Sequence, residues 1–228
     1  MNKSKIALSL FLSAALINIL GNALSVEVLN LSTKPLLMVF LLLYFLAKTS
    51  EKKHSSQLLI ISALLFSWIG DLFLMFQSEN ALFFTVGLGA FLISHLFYIT
   101  INRKTRNDST SKEMSKPRLA RYDFFLFLIC VSLVMVLSPH LGTMLFPVVT
   151  YAITITFMTI TALHRYGKTT TISFWMVMIG ASFFMFSDAV IALNKFVAPI
   201  SEARTIIMST YILAQYLLVE GLLNHMKR

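Results

Sequence analysis

Two carboxylates stand inside apolar runs, where an unpaired acid is costly. Asp71 lies in Phe66-Ser67-Trp68-Ile69-Gly70-Asp71-Leu72, and Asp188 lies in Phe183-Phe184-Met185-Phe186-Ser187-Asp188-Ala189. An aspartate at the middle of a lipid-embedded helix costs about 2.5–3.5 kcal/mol on insertion scales. No cation falls on the same helix face to offset that cost. Acids kept in such places mark catalytic centres, proton relays or transport paths, and otherwise lock helices together through hydrogen bonds. Two carboxylates held close can share one proton and titrate as a pair, as acid–base catalysts do.

Counted inward along their runs at 1.5 Å per residue, Asp71 and Asp188 both lie about 8–9 Å below the same membrane boundary. The same arithmetic puts Asn18, Tyr44, Tyr151 and Gln215 in that half, about 10–15 Å deep. Polar atoms at this depth must face one another or enclosed water. The fourth run carries Gly87, Phe91, Ser94, His95 and Tyr98 on one helical face, and its glycines allow a neighbouring helix to approach closely. His95 is an acid–base residue, an orienting donor, a metal ligand or a packing histidine, and is expected about 12 Å deeper than Asp71. His54, His140, His164 and His225 fall in loops or at helix ends.

The elements that must position these groups are membrane spans. The chain has 228 residues, 57% of them hydrophobic and 13% charged, with a mean hydropathy of +0.78. Soluble domains are about 45–50% apolar and about 25% charged, so lipid is the expected solvent. Apolar runs at roughly 5–25, 35–48, 57–77, 81–101, 122–138, 141–163, 172–193 and 205–224 predict about eight transmembrane helices. The fold class is therefore all-α, a polytopic integral membrane protein, with residues 1–228 as a single domain. Met1–Gly21 reads as the first span rather than a cleaved leader. Cys130 reads as a small buried hydrophobe.

Placing the N-terminus inside puts Lys3, Lys5, Lys48, Lys52, Lys53, the basic loop at about 102–121, Arg165, Lys168, Lys227 and Arg228 on one side. Only Lys34, Lys195 and Arg204 fall on the other. The excess of cations on inner loops predicts cytoplasmic N- and C-termini. It also accounts for the net charge of +9 without a nucleic-acid partner. Short loops and the lack of internal organelle signals fit a bacterial inner membrane, with an endomembrane as the alternative.

A weak echo links the third and seventh spans: Phe66-Ser67-Trp68-Ile69-Gly70-Asp71 against Phe184-Met185-Phe186-Ser187-Asp188. A parallel 4+4 pseudo-repeat would set the aspartates face to face across an axis along the membrane normal. No zinc-ligand spacing, Walker motif or G-x-S-x-G elbow occurs. Gly70-Asp71 lacks the second glycine of the Gly-x-Gly-Asp pattern of presenilin-like proteases.

These residues also carry a resemblance. Lys34-Pro35-Leu36, the block from Phe66 to Leu74, the block from Gly87 to Tyr98, Pro147-Val148-Val149-Thr150-Tyr151, the block from Gly180 to Ala189 with Asn194-Lys195-Phe196, and Thr210-Tyr211-Ile212-Leu213-Ala214-Gln215 follow one another in order. In this ordered set the chain resembles the lysoplasmalogenase-like membrane family, the YhhN/TMEM86 family. The resemblance implies an eight-helix fold and hydrolysis of the vinyl ether bond of lysoplasmalogen. The products would be a fatty aldehyde and glycerophosphoethanolamine or glycerophosphocholine. It implies a lysophospholipid substrate and no metal or organic cofactor.

Vinyl ether hydrolysis needs one carboxylic acid to protonate the β-carbon and one carboxylate to stabilise the cation or activate water, the logic glycosidases use on a related cation. Asp71 and Asp188 are the expected acid and base, with the order of roles open. Asn18, Ser67, His95, Tyr151, Ser187, Tyr211 and Gln215 are expected to orient the acids, the water or the glycerol hydroxyls. Lys34 and Lys195, placed at outer helix ends, are expected to pair with the lysolipid phosphate or simply to snorkel. The rival readings are a proton-coupled transporter or lysolipid flippase using the same acids, and a structural or lipid-sensing protein.

Overall fold

Eight α-helices form where the apolar runs predict them. The computed structural model describes residues 3–50, 54–105 and 113–226. Lys52, Lys53, Arg106, Lys112, Lys227 and Arg228, counted above among the inner cations, lie outside the described residues. The helices are α1 (Lys3–Ala23), α2 (Glu27–Thr49), α3 (Gln57–Met75), α4 (Ala81–Lys104), α5 (Lys116–Leu137), α6 (Leu145–Leu163), α7 (Thr171–Phe196) and α8 (Ala203–Met226). Each contains a stretch long and apolar enough to cross a membrane, and the described residues contain no strand. The protein is an all-α polytopic membrane protein.

Local chemistry sets several boundaries. Asn80 Oδ1 accepts the Leu82 N–H at 2.8 Å to start α4, and Thr170 Oγ1 accepts the Ser173 N–H at 3.0 Å to start α7. Pro117 stands in the first turn of α5, where its missing N–H costs no helical hydrogen bond. The broadest packing joins α1 to α2, α3 to α4 and α7 to α8. Gly180 brings α7 so close to α8 that a Cβ there would lie 3.0 Å from the Ala214 carbonyl oxygen. Helix α5 is peripheral, resting mainly on α6 and α7.

The surface is apolar where lipid would touch it. Leu12, Leu16 and Leu20 of α1 and Phe124, Phe125 and Phe127 of α5 are exposed, an arrangement water would penalise and hydrocarbon does not. The interior instead holds polar groups. Asn18, Ser67, Ser94, His95, Arg165, Ser173, Ser187 and Gln215 are fully buried, so each must find its partner inside the bundle.

The two ends of the bundle differ in charge. The end that holds Lys3, Lys48, Lys104 and Lys116 is the basic end. There Arg165 donates to Asn102 Oδ1 at 3.3 Å and to Ser173 Oγ at 2.8 Å, while Ser173 Oγ donates to the Gly221 carbonyl at 2.6 Å. This network ties α4, α7 and α8 together beside the α6–α7 turn. Burial pushes the Arg165 guanidinium down to about 9, which leaves it cationic at neutral pH.

Two expectations change because α2 begins at Glu27 rather than near 35. First, Lys34 is not at a helix end but two turns in, about 10 Å along the axis. Pro35 stands inside the helix. The preceding turn escaped hydropathy because Asn30, Thr33 and Lys34 are polar, yet they face a neighbouring helix or an internal cavity. Second, Tyr44 does not belong to the polar layer around the aspartates. Its hydroxyl donates to the Glu220 carboxylate near the C-terminus of α8, at the basic end.

Candidate functional site

Asp71 closes one hydrogen-bonded chain. It follows Gly70 on α3, where a Cβ would lie 2.5 Å from the Phe91 ring, so the glycine lets that aromatic pack flat on the α3 backbone. Tyr211 of α8 donates to Asp71 Oδ2 at 2.6 Å. Gln215, one turn further along α8, donates to Ser67 Oγ at 2.9 Å and to Tyr211 Oη at 3.4 Å. Its Oε1 accepts from Tyr98 at 2.8 Å. Ser67 donates to Ser94 at 2.8 Å, and Ser94 donates to the Ala63 carbonyl at 2.8 Å. Asp71 is only 2% exposed. Lys34 and Asp188 are the charged groups within its electrostatic reach.

Asp188 closes a second chain. Tyr151 of α6 donates to Asp188 Oδ2 at 2.5 Å. His95 Nε2 of α4 lies 2.8 Å from Tyr151 Oη and 3.4 Å from Asp188 Oδ2. Because the Tyr151 proton points at Asp188, the network assigns the hydrogen to His95 Nε2, which donates to the phenol oxygen. His95 Nδ1 has no partner among the described residues. It is then an unpaired acceptor rather than a buried orphan N–H. The Asp188 side chain keeps 11% exposure.

Aromatic rings join the two chains. Phe184 packs edge-on against Tyr211, with centroids 5.4 Å apart, and against His95 at 4.7 Å. Phe91 packs edge-on against both Phe184 and Tyr211. Each carboxylate is held by its own tyrosine, and what passes between them is electrostatic.

Three cavities run past these groups. A polar vestibule of about 430 Å³ opens at the end opposite the basic one and is lined by Asn18, Glu27, Asn30, Lys34, Lys195 and Arg204 among others. Leu74 and Ile191 border both the vestibule and a small space of about 40 Å³ that reaches Asp188. An apolar groove of about 260 Å³ between α5, α6 and α7 starts at Tyr151 and Asp188 and passes Cys130, Leu133, Ile155 and Met185. Asp188 lines both the small space and the groove, and Asp71 lines none of the three. No group of three or more His, Cys, Asp or Glu suited to a metal ion exists among the described residues.

The sequence-predicted site residues fall into three groups. Asp71, Ser67, Tyr211 and Gln215 form one, and Asp188, Tyr151 and His95 form another. Asn18, Lys34 and Lys195 share the vestibule, where Asn18 donates to Thr33 Oγ1 at 2.9 Å and Lys195 donates to Gln77 Oε1 at 3.2 Å. Ser187 joins none of them. It donates to the Ile207 carbonyl at 3.1 Å and fastens α7 to α8. The bundle brings His95 to within 3.4 Å of Asp188, whereas straight-helix arithmetic set it far below the acids. Sequence reasoning missed Tyr98, Ser94, Arg204, Glu27 and Asn30 as members. One signal for Tyr98 was present: it follows Asp71 by the same 27 residues that separate Gln215 from Asp188 (98 minus 71, 215 minus 188).

The family model for YhhN matches residues 29–222, a stretch that holds α2 to α8 nearly whole and both acid–tyrosine pairs. This chain belongs to the YhhN family. Among YhhN relatives, human lysoplasmalogenase TMEM86A is 32% identical over 168 residues, 72% of this chain and 65% of the relative. The Bos taurus protein of the same name is 30% identical over 169 residues, with the same coverage of each chain. The match thus spans just under two thirds of the length of these relatives. No solved structure matches this YhhN chain.

Proposed function

We propose that this YhhN protein hydrolyses the vinyl ether bond of lysoplasmalogen to a fatty aldehyde and a glycerophospho-headgroup. The reading rests on the named activity of the relatives and on one structural observation: Asp188 lines an apolar groove and a small space that shares Leu74 and Ile191 with a cationic vestibule. A lysolipid has that same order of parts. Its phosphate would lie near Lys34 and Lys195, its alkenyl chain in the groove, and its vinyl ether beside Asp188.

The chemistry then follows from the atoms present. Asp188, as a carboxylic acid, gives its proton to the β-carbon of the vinyl ether, and an oxocarbenium ion forms at the α-carbon. Water adds to that carbon and returns a proton to the Asp188 carboxylate. The hemiacetal passes its hydroxyl proton, through the same carboxyl, to the glycerol oxygen as the C–O bond breaks. One water is consumed, and aldehyde and alcohol leave. Asp71, within electrostatic reach of Asp188, contributes negative charge that favours the cation. Tyr151 and His95 hold the Asp188 carboxyl in its orientation.

The test uses purified protein in detergent micelles with 1-alkenyl lysophosphatidylethanolamine. Aldehyde should appear with the parent protein and vanish with Asp188→Asn, which should still elute as a single folded species. An enzyme needs no sealed vesicle, whereas a transporter releases no product. Absence of aldehyde from the parent protein overturns the reading.

A further inference from the structure

We propose that Glu27 reads the ammonium group of a zwitterionic headgroup whose phosphate is held by Lys34, Lys195 and Arg204. The inference rests on the lysolipid reading above and adds headgroup specificity to it. Three cations from α2, α7 and α8 line the vestibule, and Glu27 is the one carboxylate among its lining residues. Glu27 makes no hydrogen bond or ion pair with any described residue, and neither does Arg204. A cavity built only to take a phosphate gains nothing from an acid at its mouth, because like charges repel there. A phosphate followed by an amine needs that acid.

The spacing supports this order. Glu27 and Lys34 lie seven residues apart on one face of α2, two turns or about 10 Å along the axis. Lys34 is the deeper of the two, since it reaches Asp71 electrostatically. Asn30 lies between them on the same wall, with its Oδ1 packed against Gly21 of α1. From the groove outward the protein presents Asp188, then Lys34, then Glu27. A zwitterionic lysolipid presents its ether bond, then its phosphate, then its amine.

Glu27 also occupies the first turn of α2, where an acid supports the helix terminus. The experiment separates that role from headgroup reading. The probes are saturated 1-alkyl ether lysolipids bearing either phosphoethanolamine or phosphate alone, which contain no vinyl ether to hydrolyse. Binding to the full chain in micelles is measured by titration calorimetry for the parent, Glu27→Gln and Glu27→Asp. Glu27→Gln should weaken the phosphoethanolamine probe roughly fivefold, the size an exposed ion pair supports. It should leave the phosphate-only probe unchanged or tighter, and Glu27→Asp should restore most of the selectivity. Equal weakening of both probes, no change in either, or no binding of either probe by the parent overturns the proposal. Selective binding by a protein that releases no aldehyde would sink the hydrolase reading and leave this one standing.

Discussion

The Tyr98 hydroxyl donates to Gln215 Oε1 at 2.8 Å, and the two residues stand 117 positions apart, the same separation as Asp71 and Asp188. Each thus follows an aspartate at the same interval, one on α4 and one on α8. The bond joins two helices that occupy matching places in the α3–α4 and α7–α8 pairs. It also anchors Gln215, whose amide group supports Ser67 and Tyr211 beside Asp71.

Gln215→Leu removes all of these bonds, leaves the buried Tyr98 hydroxyl without its acceptor and takes a donor away from Ser67 and Tyr211. Each unsatisfied group costs about 1–3 kcal/mol, so thermal unfolding in detergent should begin several degrees lower. Tyr98→Phe deletes a single donor and should cost about 1 kcal/mol. Unfolding scans of the two variants beside the parent give the comparison, and a larger loss for Tyr98→Phe would contradict it.

Tyr151 carries the only described contact between His95 and Asp188 that meets good hydrogen-bond geometry. Tyr151→Phe should lower kcat about tenfold to a hundredfold with little change in KM, the effect of losing a hydrogen bond worth about 1.5–3 kcal/mol to a charged group. His95→Gln should lower it less. The double variant should be no worse than Tyr151→Phe alone, because His95 acts through that phenol. Fully additive losses would show that His95 reaches the reaction by another route.

The groove between α5, α6 and α7 sets how much chain the protein can hold. Cys130 lines it, and Cys130→Trp fills part of its volume. The ratio of kcat/KM for long-chain to short-chain alkenyl lysolipids should fall, while turnover of short chains persists. An unchanged ratio would place the chain elsewhere.

Orientation is testable with the same cysteine removed. In a Cys130→Ala background, Val26→Cys lies in the turn between α1 and α2, and Lys168→Cys lies in the turn between α6 and α7. The distribution of cations predicts that the second turn is cytoplasmic. A membrane-impermeant maleimide added to intact cells should therefore label Val26→Cys and spare Lys168→Cys until the membrane is opened. The reverse pattern would invert the topology and turn the vestibule inward.

Much of the scaffold could be read along the chain because crossing a membrane is a local demand. A run of about 20 apolar residues lowers its own transfer free energy wherever it sits, so eight helices and the two buried acids were visible in order. The uneven cations were visible for the same reason. The start of α2 was not, since the turn holding Asn30, Thr33 and Lys34 is too polar for lipid and is tolerated only because neighbouring structure and an internal cavity receive it. Partner choice was not legible either. Depth counted along straight helices cannot say that Tyr211 reaches Asp71 or that Tyr151 and His95 reach Asp188. Those pairings depend on how the helices pack, including how near α3 comes to α4 at Gly70 and α7 to α8 at Gly180. The residue types alone required that buried polar atoms be satisfied. Only the packed bundle decided which atoms satisfy them, gathering Lys34, Lys195 and Arg204 from three helices into one vestibule and leaving Asp188 facing the cavities while Asp71 is enclosed.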